Sequence, residues 1–156
     1  AQALTKLRTF SGQPVQGWLS PGLRQTERSL EVFKQAGVRY TFDWCMDDVP
    51  NWMQTEHGPL LSMPYNLELN DSVIYAIEKH ATGQFLDRTR RTLSVVERES
   101  EHRPRVLAIG LHPHLMGVPH RFGEFEDMLD TLLASDQVTF LKPAQIAHWF
   151  ETQVPA

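Results

Sequence analysis

With 156 residues, 41% of them hydrophobic and 22% charged, the chain has the size and makeup of one soluble globular domain, residues 1–156, and is too short for two. A net charge of −4, from 15 basic and 19 acidic residues, argues against nucleic acid or an anionic membrane as a partner. No apolar run approaches the roughly 18 residues of a membrane span, and Cys45 stands alone, so no internal disulfide is expected and a reducing, cytoplasmic compartment fits best.

The chain opens on a helix, with Leu4 and Leu7 on one face and neither an initiator Met nor a signal-peptide core, which suggests a piece of something longer. Gly12-Gln-Pro14 is a turn, 15–19 a short strand, and Ser20-Pro21-Gly22 a break. From Leu23 the apolar residues Leu23, Leu30 and Phe33 fall at helical spacing, with Gly37 as the stop. Residues 38–44 alternate, Val38, Tyr40, Phe42 and Trp44 against Arg39, Thr41 and Asp43, the period of a half-buried strand. A long loop, 45–59, follows; loops of that length in compact domains are often functional.

Short extended pieces at 60–63 and 67–69 flank Pro64-Tyr-Asn66. Asp71 is placed to cap a helix that buries Val73, Ile74, Ile77 and Ala81 and ends at Gly83. Residues 84–100 form an amphipathic helix on Leu86, Thr89, Leu93 and Val96, and its Arg88-Thr-Arg-Arg91 cluster beside Glu97, Glu99 and Glu101 is a solvated face. Residues 106–111, bounded by Pro104 and Pro113, are too apolar for a half-exposed strand and read as one buried on both faces. It delivers His112 and His114, with His120 shortly after. A helix on Phe122, Phe125, Met128, Leu129 and Leu132, a strand at 138–141 and a helix opened by Pro143 complete the chain. The alternation is that of an α/β fold with mostly parallel strands. About four or five strands make either an open sheet or about half of an eight-fold β/α barrel.

In a parallel sheet of this order the strand ends gather on one edge. That groups Trp18 and Pro21; Asp43, Asp47 and Asp48; Tyr65, Asn66, Glu68 and Asn70; and His112, His114 and His120. A carboxylate beside a histidine supplies a general base and a general acid for hydrolysing a C–N bond. No Ser or Cys sits in a nucleophile-elbow context, so water is the expected nucleophile. Asp47-Asp48 also fits a solvated turn, and Asn70-Asp71 a helix cap. There is no Gly-x-Gly-x-x-Gly or Gly-Lys-Ser/Thr loop, which sets dinucleotide and nucleotide-phosphate binding aside.

The strings Gly17-Trp-Leu-Ser-Pro-Gly22, Phe42-Asp-Trp44 with Asp47-Asp-Val-Pro50, Pro64-Tyr-Asn-Leu-Glu-Leu-Asn-Asp71, Ile109-Gly-Leu-His-Pro-His114 and Gly117-Val-Pro-His-Arg121 together resemble the polysaccharide deacetylase superfamily, in its cofactor-independent, allantoinase-like branch. The resemblance runs in family order to about Trp149. It implies the C-terminal part of a distorted β/α barrel that hydrolyses an amide, either an N-acetyl group on a sugar or the cyclic amide of allantoin. It makes His112 the general acid toward the leaving amine. Asp43-Trp44 answers to the family's Asp-Trp motif, so Asp43 is the second catalytic candidate, with the other strand-end residues binding substrate.

Two departures stand out. Leu19-Ser-Pro21 occupies the place of an Arg-x-Pro motif, and the Thr-Phe-Asp-Asp and His-x-x-x-His motifs, which hold the base and the metal ligands, lie upstream of the matched region. No metal is therefore expected on this chain, and a divalent ion enters only with those motifs. The expected partners are a small-molecule or sugar amide substrate, and the N-terminal half of the barrel or a second copy. Two other readings compete: a non-catalytic half-barrel interaction module, and a zinc amidohydrolase built on His112 and His114, which share a strand face but have Pro113 between them.

Overall fold

The computed structural model describes residues 2–156, which form two compact units: residues 2–65 with 141–156, and Asn66–Phe140. No helix among the described residues is long and apolar enough to cross a membrane.

The first unit is built on a four-stranded sheet in the order β1-β2-β4-β3. Its strands are β1 (Gly17–Trp18), β2 (Tyr40–Thr41), β3 (Asn51–Met53) and β4 (Leu60–Ser62). β1 pairs with β2, and β2 with β4, in parallel; β3 runs antiparallel to β4, with Trp52 opposite Leu61. Successive residues of a strand face opposite ways. Leu61 accordingly joins Tyr40, Met63 and Ala147 in one cluster, and Leu60 joins Leu4 and Val38 in another. Helix α1 (Gln2–Ser11) contributes Leu4 to the second cluster, while α6 (Pro143–Gln153) contributes Ala147, Ile146 and Phe150 to the first. Gly17 has no substitute opposite Tyr40: a Cβ there would lie 2.1 Å from the Tyr40 ring.

Three sequence expectations change in this unit. The helix expected from Leu23 begins later, as α2 (Ser29–Gln35), because Pro21–Leu23 closes a 3-10 turn that ends with Leu23 at a φ of 54°. Its stop is as expected. Gly37 (φ 78°) places its own N–H on Lys34 O and that of Val38 on Phe33 O, the paired bonds of a Schellman motif. In residues 38–44 the polar side is solvated only at Arg39, since Thr41 and Asp43 are buried along with Val38 and Tyr40. The expected loop 45–59 contains a strand, β3, whose Trp52 donates its indole N–H to Val154 O at 2.8 Å.

The second unit packs α3 (Gln84–Ser100), α4 (Pro113–Met116) and α5 (Pro119–Leu133) around Ile74, Tyr75, Phe85, Leu93, Met116, Met128 and Leu132. Residues 106–109 are half-buried, with Leu107 and Ile109 on this core, and Leu111 is exposed. In this chain the run is therefore partly covered, short of the full burial that its composition leads one to expect. Its one ladder contact among the described residues is a parallel bridge, Asn70 to Gly110. A Cβ on Gly110 would meet the Asn70 amide at 2.4 Å, so only glycine admits this approach. Residues 138–141 form no strand, and Phe140 and Leu141 are exposed.

Residues Ser72–Ile77 form a π-helix, marked by Glu78 N–H donating to Val73 O across five residues. The wider turn displaces the inward face. Tyr75 is buried where a 3.6-residue period places Ile77, which is 69% exposed. The Tyr75 hydroxyl donates to the Glu124 carboxylate at 2.6–2.7 Å and accepts from Phe85 N–H at 3.2 Å, while Glu124 accepts from Leu86 N–H at 3.0 Å. Helix α3 starts after Gly83, which has no side chain to cap it; a tyrosine and a glutamate from two other helices satisfy its first free N–H groups instead. Burial, and then the hydrogen bond to Glu124, hold the Tyr75 phenol well above its ordinary 10.0. A raised pKa favours the neutral phenol in the folded state, so its contribution to stability is complete below pH 10 and is lost as pH rises beyond it. We expect alkaline unfolding to be delayed in Tyr75→Phe relative to its own neutral-pH stability, leaving the smaller share from Tyr40, whose pKa burial also raises. An identical slope of stability against pH above 10 in wild type and variant would contradict this.

Candidate active site

The site in the second unit is built where the 106–111 segment ends. The Asn70–Gly110 bridge is closed by Asp71 N–H to Gly110 O (3.1 Å) and Gly110 N–H to Leu69 O (2.8 Å), which brings Asp71 beside His112. The Asp71 side chain is fully buried, and both of its oxygens are used on this one residue. Oδ2 accepts the His112 backbone N–H at 2.6 Å, and Oδ1 lies 2.6 Å from His112 Nδ1. The His112 side chain is 41% exposed. A buried carboxylate at Nδ1 favours the tautomer with its proton there, which leaves Nε2 as the working nitrogen.

The cap expectation at Asn70-Asp71 resolves into two jobs. Asn70 Oδ1 accepts Ser72 N–H (3.0 Å) and Val73 N–H (3.4 Å), so Asn70 caps the π-helix, and Asp71 makes no side-chain cap bond. The signal was present in the sequence: two cap-type residues stood where a helix start needs one.

His114 is exposed on α4, its ring 5.7 Å from that of His112 and inclined at 75°. His120 and Glu68 are also exposed, and Asn66 holds the 106–111 segment by accepting Ala108 N–H at 3.3 Å.

The first unit carries Trp18, Pro21, Asp43, Asp47, Asp48 and Tyr65. Asp43 is 2% exposed and is bound to Ser20 through both oxygens: Oδ1 accepts its N–H and Oδ2 its hydroxyl, each at 2.6 Å. Trp18 Nε1–H donates to the same Ser20 oxygen at 3.0 Å. Ser20, which the sequence reading did not single out, is thus the hub joining Trp18 to Asp43. Pro21 is exposed at the start of the 3-10 turn. Asp47 is exposed and accepts Asp48 N–H at 2.7 Å, as a turn residue does. Tyr65 is half-buried. An open cleft of about 710 Å³ is lined by Gln25, Thr26, Glu27, Arg28 and Trp44. Among the described residues, one group of three potential metal ligands lies within 4.8 Å, namely Glu31, Glu56 and His57. Glu31 already accepts Glu56 N–H at 2.9 Å.

No family model matches the chain. It is 28% identical to a Schizosaccharomyces pombe protein named "Putative polysaccharide deacetylase", over 99% of this chain and 52% of that protein. Among solved structures it superposes with a TM-score of 0.89 on a "probable Polysaccharide deacetylase" from Pseudomonas aeruginosa PAO1, at 28% identity. The TM-score is also 0.89 on Puue allantoinase, at 25% identity, and each match covers 99% of this chain and 52% of the other. The chain therefore spans about half the length of the relatives it matches. It has a polysaccharide deacetylase-like fold, α/β with mostly parallel strands, and matches the C-terminal part of such barrels.

Proposed function

We propose that the protein hydrolyses a non-peptide carbon–nitrogen amide bond, as a deacetylase or allantoinase does, with His112 as the general acid. The observation that carries this reading is the Asp71–His112 pair: a buried carboxylate fixed on Nδ1 and a partly exposed ring. Water adds to the amide carbon, and the protonated imidazole gives its Nε2 proton to the departing nitrogen as the C–N bond breaks. Asp71 holds the ring in place through Nδ1. The base that activates the water comes from residues outside this sequence, and residues 1–156 serve as the C-terminal part of one catalytic domain. Asp43 acts through Ser20, since both of its oxygens are engaged there. His114, His120 and Glu68, with Trp18, Pro21, Asp47, Asp48 and Tyr65, are the substrate-facing candidates; Asn66 and Asn70 support the backbone around them. These residues hold no metal of their own in this reading, and the lone Cys45 suits a cytoplasmic setting.

His112→Ala in the complete enzyme is expected to lower amide turnover by about 10²–10⁴-fold with little loss of stability. Release of acetate from N-acetylated sugars and ring opening of allantoin are the assays, with a melt as control. Wild-type turnover in the variant would remove His112 from the chemistry. Absence of turnover on every amide, with His112 silent, would favour the interaction module instead.

The N-terminal half of the barrel or a second copy is the partner we propose for exposed apolar residues such as Phe140 and Leu141. The chain alone should scatter light as a species larger than its 17.9 kDa at low micromolar concentration. A compact monomer with a cooperative melt would contradict that.

A further inference from the structure

We infer that Arg121 is a positioning residue for His112, acting by clamping the turn on which the histidine stands; this rests on the reading of His112 as the acid. Helix α4 is one turn of four residues, too short to hold itself together. Leu115 and Met116 both donate their N–H groups to His112 O, at 2.8 and 3.0 Å, so the carbonyl of Leu115 moves with the backbone of His112. A carbonyl at the end of such a helix has no partner within it. Arg121 supplies one: its Nη1–H donates to Leu115 O at 3.2 Å.

The guanidinium is itself fixed from below. Its carbon lies 4.3 Å from the centre of the Tyr75 ring, the geometry of a cation–π contact. Tyr75 is in turn pinned by Glu124 and Phe85 N–H within the core. Glu124 stands three residues from Arg121 on the same helix, where an ion pair would be ordinary, yet its oxygens are given to Tyr75 and Leu86. Arg121 Nε is left buried without an acceptor. Departures of this kind persist chiefly where a function requires the placement. His112 is thus held twice from one element: Asp71, at the start of the π-helix, fixes its ring and N–H, and Tyr75, in the middle of it, supports the arginine that fixes its turn.

The test uses the complete enzyme and two variants, Arg121→Met, which keeps the stem against the Tyr75 ring but has no donor, and Arg121→Lys, which restores one. Long-range proton–nitrogen NMR at a pH where imidazole is neutral reads the His112 tautomer, with His112→Gln for assignment. Wild type should show the single Nδ1–H tautomer. Arg121→Met should lose that single-tautomer signature for a mixture of both while still melting cooperatively, and Arg121→Lys should recover it. A single tautomer in Arg121→Met overturns the clamp. So does a Lys variant as mixed as the Met variant, or a comparable collapse of the melt in both, since a residue that merely supports the fold behaves that way. The same samples are assayed for amide turnover. Tautomer loss and recovery without turnover in wild type leaves the clamp standing and removes the hydrolase reading, whereas turnover with an unmoved tautomer does the reverse.

Discussion

Replacing Asp71 by Asn in the complete enzyme should lower amide turnover by about 10²–10⁴-fold and leave the fold cooperative. The amide is nearly the same size as the carboxylate and fits a site with no spare volume. It cannot, however, do both of the carboxylate's jobs. Its one oxygen is needed by the His112 backbone N–H, now at 2.6 Å from Oδ2, which turns the NH₂ toward Nδ1. That group donates where the carboxylate accepted, so the ring must carry its neutral proton on Nε2, and the imidazolium loses its counter-charge. The proton then sits on the nitrogen that must face the substrate in the wrong tautomer, and the carboxylate that oriented the ring is gone. Turnover measured across pH is the check: the variant should fall at every pH at which wild type works, and an unchanged kcat would mean that Asp71 only supports the backbone.

The largest stability effect is expected at Glu124, about 2–6 kcal/mol for Glu124→Ala, taking about 1–3 kcal/mol for each buried group left unpaired. The side chain is 8% exposed and receives the Tyr75 hydroxyl and the Leu86 N–H. Its removal strands both and leaves a void between them. Glu124→Gln retains one acceptor and should cost less. Urea denaturation followed by circular dichroism distinguishes the two. Equal midpoints for wild type and Glu124→Ala would show that solvent replaces the carboxylate at no cost.

What was legible in the sequence was the part governed by regular periods. Helices α3, α5 and α6 lie where the 3.6-residue spacing of Thr89 and Leu93, Met128 and Leu132, and Ile146 and Phe150 puts them. Pro143 opens α6 as expected, and Gly37 closes α2. Strands were harder because they are two or three residues long, too short for an alternation to repeat. β3 was hidden between Pro50 and the turn at Gly58 for that reason. Residues 106–111 misled in another way: an apolar run states how greasy a segment is, and not how many of its faces are covered.

The site was half legible. His112 stood out as a titratable group at the end of an apolar run, and its neighbours in sequence drew attention with it. Asp71 is its partner across the chain, and Asp71 looked like a cap because caps and buried acceptors are drawn from the same residue types. Only the parallel bridge from Asn70 to Gly110 makes the pairing visible. Arg121, Tyr75 and Glu124 were likewise beyond reach, since the π-helix rotates Tyr75 inward against the ordinary period.

That π-helix makes the segment 72–78 unusually exposed to changes in chain length. A substitution at Ile77, which faces solvent, alters little, but the deletion of any one residue between Val73 and Glu78 would let the backbone relax into the common α-helix. The turn would then present a different side chain to the core, Tyr75 would leave Glu124 without its hydroxyl donor, and Arg121 would lose the ring beneath it, all without touching His112 or Asp71. In a family tree or a library of shortened variants, single-residue gaps should therefore be tolerated in the loop at 54–58 and be absent from this one turn.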